Sequence, residues 1–360
     1  TIARRKLQEG VMPPASSVRV EEFVNYFGYD YPNPDAGPFG VSLEAAPSPF
    51  DGKRHLVRVG VQGKRISAAQ RKPVHLTFLV DVSGSMNRPD KLGLAKQALT
   101  VLTNNLKQGD TVSLVTYAGA TRVVLAPTGM DQKGRILESL DNLRSGGGTA
   151  MNSGMKLAYQ QAMAAHKPGH VNRVLVLSDG DANIGPSSHE DILARIKGYV
   201  DEGVTLSTIG FGMGNYQDHL MEQLANKGNG NYYYIDSIQE ARKVFGEQLD
   251  GTLEVIAKDV KIQVEFNPEA VSNYRLVGYE NRDIADKDFR NDAVDAGEIG
   301  AGHTVTAFYE VEMNPKHQGT LAYVRVRHKE PEGYKASEQI FMLQGDDVRG
   351  RVSDASRDFQ

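Results

Sequence analysis

Cysteine is absent from the 360 residues of this chain. This excludes thiol catalysis, disulfide bonds, thiolate zinc sites and iron–sulfur clusters, so a bound metal must have oxygen or imidazole ligands. The chain also lacks a basic excess, since 41 Lys and Arg stand against 45 Asp and Glu, with a formal net charge of -4. We therefore expect no nucleic-acid partner. No apolar run approaches the roughly 18 residues needed to cross a bilayer, which predicts no transmembrane segment.

Strand and helix patterns alternate through the middle of the chain, from about residue 73 to residue 250. The first buried strand is Val74–Val80, and a later one is Arg173–Ser178. The last helix pattern begins near Ile238 and runs towards Val255. Such alternation predicts a three-layer α/β domain, in which helices cover a mostly parallel sheet.

The two flanks have strand patterns instead. Every second residue from Val260 to Phe266 is apolar, and Gly40–Ala45 and His55–Val61 are also strand-like. Two strands alone are marginally stable in water. We therefore predict that the N-terminal strands pair with the C-terminal ones, so that the α/β domain is inserted into a single β-sandwich.

Five segments follow from these patterns. We predict an N-terminal helical or extended segment at 1–39, sandwich strands at 40–72, the α/β domain at 73–250, a β-rich domain at 251–345 and a polar tail at 346–360. Because the chain begins with Thr1 and ends in polar residues, we expect it to be trimmed or processed at both ends.

Oxygen-bearing side chains follow the strand ends of the α/β domain. Asp81, Ser83 and Ser85 lie in one loop after the first buried strand, Thr149 follows three glycines, and Asp179 follows a second buried strand. In an open parallel sheet, ligands bind beyond the carboxyl ends of the strands, so we expect these five residues to converge. Hydroxyls and carboxylates suit a hard cation, which favours Mg²⁺ or Mn²⁺ over Zn²⁺. Asp181 could also contribute, although we favour a solvated loop carboxylate there.

The Asp-x-Ser-Gly-Ser loop at 81–85, the glycine-flanked Thr149 and the turn at 178–180 resemble the metal-ion-dependent adhesion site (MIDAS) of von Willebrand factor type A (VWA) domains. The resemblance implies a Rossmann-like fold in which Ser83 and Ser85 hold Mg²⁺ directly, with Mn²⁺ or Ca²⁺ as alternatives. Thr149 would bind directly in the ligand-ready state, whereas Asp81 and Asp179 would act mainly through water. A carboxylate of a protein partner would complete the coordination.

The flanks resemble a bacterial family of VWA proteins. The segment 13–27 is similar to its short N-terminal segment, and the motifs at 278–282 and 295–303 are similar to its C-terminal domain of unknown function. Members of that family are often described as envelope proteins or lipoproteins. The resemblance implies a periplasmic or surface location, with a lipid anchor on a segment preceding Thr1, and a cytoplasmic location is the alternative.

The function predicted from these observations is that of a binding module and not of an enzyme. We expect a cation-dependent protein-interaction (adhesion-type) domain of the cell envelope, whose affinity depends on the loops at Asn87–Lys91 and Met213–Gln217. Two alternatives are a metal-bearing adaptor subunit of an ATP-driven, chelatase-type machine and a structural envelope protein with a stabilising metal. The adaptor would need a separate ATPase, because the chain has no GxxxxGK[ST] motif.

Overall fold

The chain folds into two units, one of which is inserted into the sequence of the other. The computed structural model describes residues 6–7, 10–14, 18–67, 69–180, 186–212, 218–279, 288–291, 296–314, 317, 319–331 and 333–360. The inserted unit comprises Ser67–Glu254. The flanking unit comprises Thr1–Ile66 together with Val255–Gln360.

Strands and helices are numbered here in chain order. Helix α1 (Val20–Val24) and strands β1 (Phe39–Pro47) and β2 (His55–Gly63) precede the inserted unit. The strands of the inserted unit are β3 (Val74–Asp81), β4 (Thr111–Tyr117), β5 (Thr121–Gly129), β6 (Val171–Ser178), β7 (Val204–Gly210) and β8 (Tyr232–Tyr234). Its helices are α2 (Leu94–Asn105), α3 (Lys133–Asp141), α4 (Met151–Ala165), α5 (Pro186–Asp201), α6 (Asp218–Lys227), α7 (Ile238–Arg242) and α8 (Leu249–Leu253). Short turns are 3₁₀-helical at Gly84–Met86 and Met130–Gln132 and π-helical at Pro89–Gly93 and Lys243–Glu247.

The six strands of the inserted unit form one sheet in the order β5-β4-β3-β6-β7-β8. All neighbouring strands are parallel except β4 and β5, which form an antiparallel edge. Strand β3 is buried along its whole length because helices cover both faces of the sheet. Helices α2, α3, α7 and α8 share a hydrophobic core with one face, and α4, α5 and α6 share a second core with the other. The predicted three-layer α/β architecture is confirmed.

The last helical segment of the inserted unit differs from the single amphipathic helix that the sequence predicts between Ile238 and Val255. Helix α7 passes into a π-helical turn, in which the amide of Gln248 donates to the carbonyl of Lys243, five residues back. The wider turn lets Val244, Phe245 and Leu249 all face the core. Helical periodicity alone does not reveal this extra residue.

Two antiparallel sheets form the flanking unit. The later strands are β9 (Val255–Phe266), β10 (Val271–Val277), β11 (Ile299–Gly300), β12 (Thr304–Met313), β13 (Thr320–Lys329) and β14 (Ala336–Gln344). The sheet orders are β1-β2-β12-β10 and β11-β9-β13-β14, and buried residues of both sheets share one core. Because β2 pairs with β12, the predicted pairing of N-terminal with C-terminal strands is confirmed.

The end of the chain packs on the first of these sheets. Ala355 and Phe359 are buried with Ala46, and the Ser356 hydroxyl and amide both donate to the buried carboxylate of Glu44. None of the described helices is long and apolar enough to cross a membrane.

A buried histidine lies at the start of β3, opposite the carboxyl edge of the sheet. His75 is 3% exposed, its ring stacks on that of His170 at 4.8 Å, and its Nδ1 lies 2.5 Å from the Thr111 hydroxyl. Its buried Nε2 has no hydrogen-bond partner among the described residues. Burial, reinforced by the nearby His170 and Lys167, lowers the pKa of His75 from 6.5 to about 4.

This histidine makes the stability of the inserted unit depend on pH. The pKa of His75 is about 4 in the folded protein and 6.5 in the unfolded chain, so between these two values the folded protein binds fewer protons. The stability that depends on neutral His75 is therefore fully present above pH 6.5 and is lost as pH falls towards 4. From about pH 7 to about pH 5, wild-type protein should lose ~1–2 kcal/mol more unfolding free energy than His75→Asn, whose amide oxygen replaces Nδ1. Urea denaturation followed by circular dichroism measures both slopes. Equal slopes would contradict a neutral, buried His75.

Candidate metal centre

The candidate site lies at the carboxyl edge of the sheet of the inserted unit. Strand β3 ends at Asp81 and is paired with β4 on one side and β6 on the other. The register places Asp81 opposite Tyr117, and Val80 opposite Leu177. The loops after β3 and β6 therefore leave the sheet side by side.

Asp81 is fully buried at this edge. Its Oδ1 accepts a hydrogen bond from the Ser83 amide at 2.9 Å, and its Oδ2 accepts one from the Ser178 hydroxyl at 3.0 Å. Burial raises the pKa of Asp81, the hydrogen bonds from Ser83 oppose this rise, and the charge of Asp179 adds to it. The site thus holds a buried carboxylate whose ionised form is disfavoured unless a cation compensates it.

The two serines of the loop bring their hydroxyls together. Ser83 is 1% exposed, Ser85 is partly buried, and their Oγ atoms lie 3.0 Å apart. A 3₁₀ turn over Gly84–Met86 produces this arrangement, and the buried side chain of Met86 fixes the turn to the core. Neighbouring ligands of an octahedral Mg²⁺ with bonds of about 2.1 Å are themselves about 3 Å apart, so the hydroxyl pair fits such a cation.

Thr149 lies in a loop that backbone hydrogen bonds tie to the serine loop. The Gly146 amide donates to the Val82 carbonyl at 2.7 Å, and the Gly84 amide donates to the Gly147 carbonyl at 3.0 Å. Gly147 has a φ of +88° and packs so closely that a Cβ there would lie 3.1 Å from the Gly119 nitrogen. Only glycine adopts this geometry without strain. The glycines that precede Thr149 therefore lie beside the serine loop, and Thr149 itself is partly buried.

Asp179 follows β6 and is 3% exposed. Its Oδ2 accepts a hydrogen bond from the Lys91 ammonium at 2.8 Å, and the two groups form an ion pair. Sequence reasoning included Lys91 in a loop that affects affinity but did not predict this contact. The sequence carries no direct signal for it, because Lys91 and Asp179 are 88 residues apart.

Two further residues, Ser178 and Tyr117, lie next to Asp81 at the end of the sheet. Sequence reasoning did not assign them a role. The Ser178 hydroxyl links Asp81 to the loop of Asp179, because it donates to Asp81 and accepts from the Gly180 amide at 3.1 Å. Tyr117 is fully buried, and within the described part of the chain its hydroxyl has no hydrogen-bond partner. Its pKa is raised by burial and then by the charge of Asp81, the residue opposite it in the sheet.

The residues present fit a hard divalent cation. The donors are serine hydroxyls and two carboxylates, and a buried phenol below them retains an unused polar atom. Within the described residues, no group of three or more His, Asp or Glu side chains is arranged to hold a metal. The candidate site has two carboxylates, so its other protein ligands would be hydroxyls. Asp181 and the loop Met213–Gln217 lie outside the described residues.

Known protein families match three ranges of this chain. The description "von Willebrand factor type A domain" matches residues 75–247, "Uncharacterized protein YfbK, C-terminal" matches 251–344, and "von Willebrand factor" matches 1–58. The matched ranges include most of the inserted unit and most of both parts of the flanking unit.

Individual relatives extend over most of the chain. The protein YfbK of Escherichia coli is 37% identical over 94% of this chain and 64% of its own length. The protein sll0103 of Synechocystis sp. is 26% identical over 59% of this chain and 50% of its own. The chain thus spans less than two thirds of the curated relatives it matches.

A solved structure of a von Willebrand factor type A protein from Catenulispora acidiphila superimposes with a TM-score of 0.50 at 19% identity. The match covers 89% of this chain and 76% of that one, and it shows a shared fold. Domains of the von Willebrand factor type A family commonly mediate protein–protein interactions. On its motifs, its fold and its relatives, the chain is a bacterial von Willebrand factor type A domain protein.

Proposed function

We propose that the inserted unit binds a protein partner through a divalent cation held at the carboxyl edge of its sheet. The observation that carries this proposal is the convergence of the Asp81 carboxylate with the paired hydroxyls of Ser83 and Ser85. Mg²⁺ is the proposed cation because hydroxyl and carboxylate oxygens are hard ligands, and Mn²⁺ and Ca²⁺ are the alternatives.

Each side chain has a distinct role in this proposal. Ser83, Ser85 and Thr149 hold the cation through neutral hydroxyl oxygens, and Asp81 and Asp179 supply the compensating negative charge. When bound, the cation supplies a Lewis-acidic position for an Asp or Glu carboxylate of the partner. The directly bound protein ligands are neutral hydroxyls, so the cation keeps its attraction for an anionic ligand at this position.

Binding, and not catalysis, is the proposed activity. Both carboxylates at the site are already engaged, Asp81 by Ser83 and Ser178 and Asp179 by Lys91. A general base must be within hydrogen-bond reach of a substrate proton, with a pKa suited to the transfer. In this proposal the two carboxylates instead compensate the charge of the cation.

The proposed location is the cell envelope, at the periplasmic side or the surface. This rests on the resemblance of the segment 13–27 and of the C-terminal domain to envelope proteins. Protease added to spheroplasts of the native organism should degrade an envelope protein and spare a cytoplasmic one.

The first prediction concerns the cation itself. Metal-stripped wild-type protein should bind Mg²⁺ saturably in isothermal titration calorimetry, and Asp81→Asn should lose that binding because it removes the buried charge. Without metal, Asp81→Asn should be at least as stable as wild type, since burial disfavours the ionised carboxyl.

The matched control for this titration is Asp201→Asn. Asp201 is 68% exposed on α5, so this substitution makes the same chemical change on the surface of the inserted unit. It should leave Mg²⁺ binding unchanged. A binding isotherm that is identical in wild type and Asp81→Asn would place the cation elsewhere.

A second prediction concerns the partner. Immobilised wild-type protein should retain a binding protein from an envelope extract in Mg²⁺ and release it in EDTA, whereas Ser83→Ala should retain none. Ser139→Ala, which changes a serine of α3 whose hydroxyl donates to the Arg135 carbonyl, is the control and should behave as wild type. Equal, EDTA-resistant retention by Ser83→Ala would favour a metal that only stabilises the loops.

A further inference from the structure

The ion pair between Lys91 and Asp179 places a cationic group inside the candidate metal centre. The Lys91 side chain is 15% exposed and that of Asp179 is 1% exposed, and their charged atoms lie 2.8 Å apart. Surface ion pairs contribute little, but a pair this well buried interacts through a medium of much lower dielectric constant. Lys91 therefore affects every other charge at the site.

The surrounding chain fixes the path of the Lys91 side chain. Lys91 belongs to the π-helical turn Pro89–Gly93, and its aliphatic portion crosses Gly212. A Cβ on Gly212 would lie 2.6 Å from Lys91 Cε, and Gly212 has a φ of +83° that disfavours any other residue. The Tyr234 hydroxyl donates to the Gly212 carbonyl and holds this crossing point in place. The ammonium is thus directed at Asp179 by the fold.

The effect of the Lys91 ammonium on cation binding follows from a count of the charges at the site. Among the described residues of the site, ionised Asp81 and Asp179 together with protonated Lys91 carry one net negative charge. With a divalent cation bound, these groups and the cation together carry one net positive charge. Without Lys91, the two positive charges of the cation would equal the two negative charges of the carboxylates. Placing uncompensated charge in a buried site is costly, so an added anion becomes favourable.

We infer that Lys91 is a tethered cation that competes with the divalent cation for Asp179 and makes tight cation binding depend on an anionic group of the partner. This inference rests on the proposed function, because it concerns the same site. It goes further in that Lys91 weakens cation binding in the free protein. The partner carboxylate then supplies the negative charge that the ammonium has neutralised.

The test compares Mg²⁺ affinities of two Lys91 variants by isothermal titration calorimetry. Lys91→Met removes the charge, and Lys91→Gln removes it while keeping a hydrogen-bond donor for Asp179, which protects against loss of folding. Both should bind Mg²⁺ at least about tenfold more tightly than wild type, or about 1.4 kcal/mol. Lys197→Met removes a lysine that is 71% exposed on α5 and should bind Mg²⁺ as wild type does.

Two further measurements separate competition from a merely structural role. Without Mg²⁺, the thermal midpoint of Lys91→Gln should be lower than that of wild type, because Asp179 loses its charge partner, and saturating Mg²⁺ should raise it by more than in wild type. Acetate serves as the carboxylate probe. It should tighten Mg²⁺ binding to wild type more than to Lys91→Gln, since only wild type has excess positive charge.

The outcomes distinguish this inference from the function on which it rests. If wild type binds Mg²⁺ and both Lys91 variants bind it equally or more weakly, Lys91 only positions Asp179, and the inference fails while the metal site stands. An equal acetate effect in wild type and Lys91→Gln would overturn the coupling to an anion. If none of these proteins binds Mg²⁺, the metal site itself is wrong. Binding only in the Lys91 variants would support the inference.

Discussion

The pairing of β3 between β4 and β6 is the constraint on which the candidate site depends. The carboxyl ends of parallel strands lie at the same edge, and here the register aligns Asp81 with Tyr117, while β6 ends at Ser178, directly before Asp179. The hydroxyl of Ser178 can then donate to Asp81 only because both strands stop at this level. Hydrophobic cores on both faces keep β3 in place, so the energy that orders the site comes largely from apolar burial.

Burying these charged groups opposes folding, and their charges are only partly compensated within the protein. Two carboxylates are buried near each other, and the pKa of Asp81 is raised by burial and also by the charge of Asp179. Hydrogen bonds from Ser83 and Ser178 and the ammonium of Lys91 compensate part of that charge. A purely structural loop would gain stability from apolar residues at these positions. In the proposed function, these carboxylates are residues through which the chain would bind a cation and, beyond it, a partner.

Much of the fold was accessible from residue patterns, and the exceptions have identifiable causes. Mostly apolar strands such as Val74–Val80 predicted the α/β unit, and the period-two strands of the flanks predicted the second unit. Both patterns show which faces of a strand are buried. The alternating pattern predicts a mostly parallel sheet and does not single out β5 (Thr121–Gly129), which runs antiparallel to β4 at the edge of the sheet. Strand direction depends on connection length and pairing, which a short apolar run does not specify. The π-helical turn at Lys243–Glu247 depends on core packing and is likewise invisible to a helical period.

The sequence alone determined which chemistry is available, since Asp81, Ser83, Ser85, Thr149 and Asp179 each follow a strand pattern or a glycine run and the absence of cysteine limits the ligands to oxygen and imidazole. It also determined that the flanks are separate from the α/β unit, because their periodicity differs. Only the tertiary structure decided how the site is charged. Lys91 and Asp179 are 88 residues apart, and their contact depends on the turn at Pro89–Gly93 and on Gly212, which is still farther along the chain. Side-chain charges act through space, so their balance is set by packing and not by the order of residues.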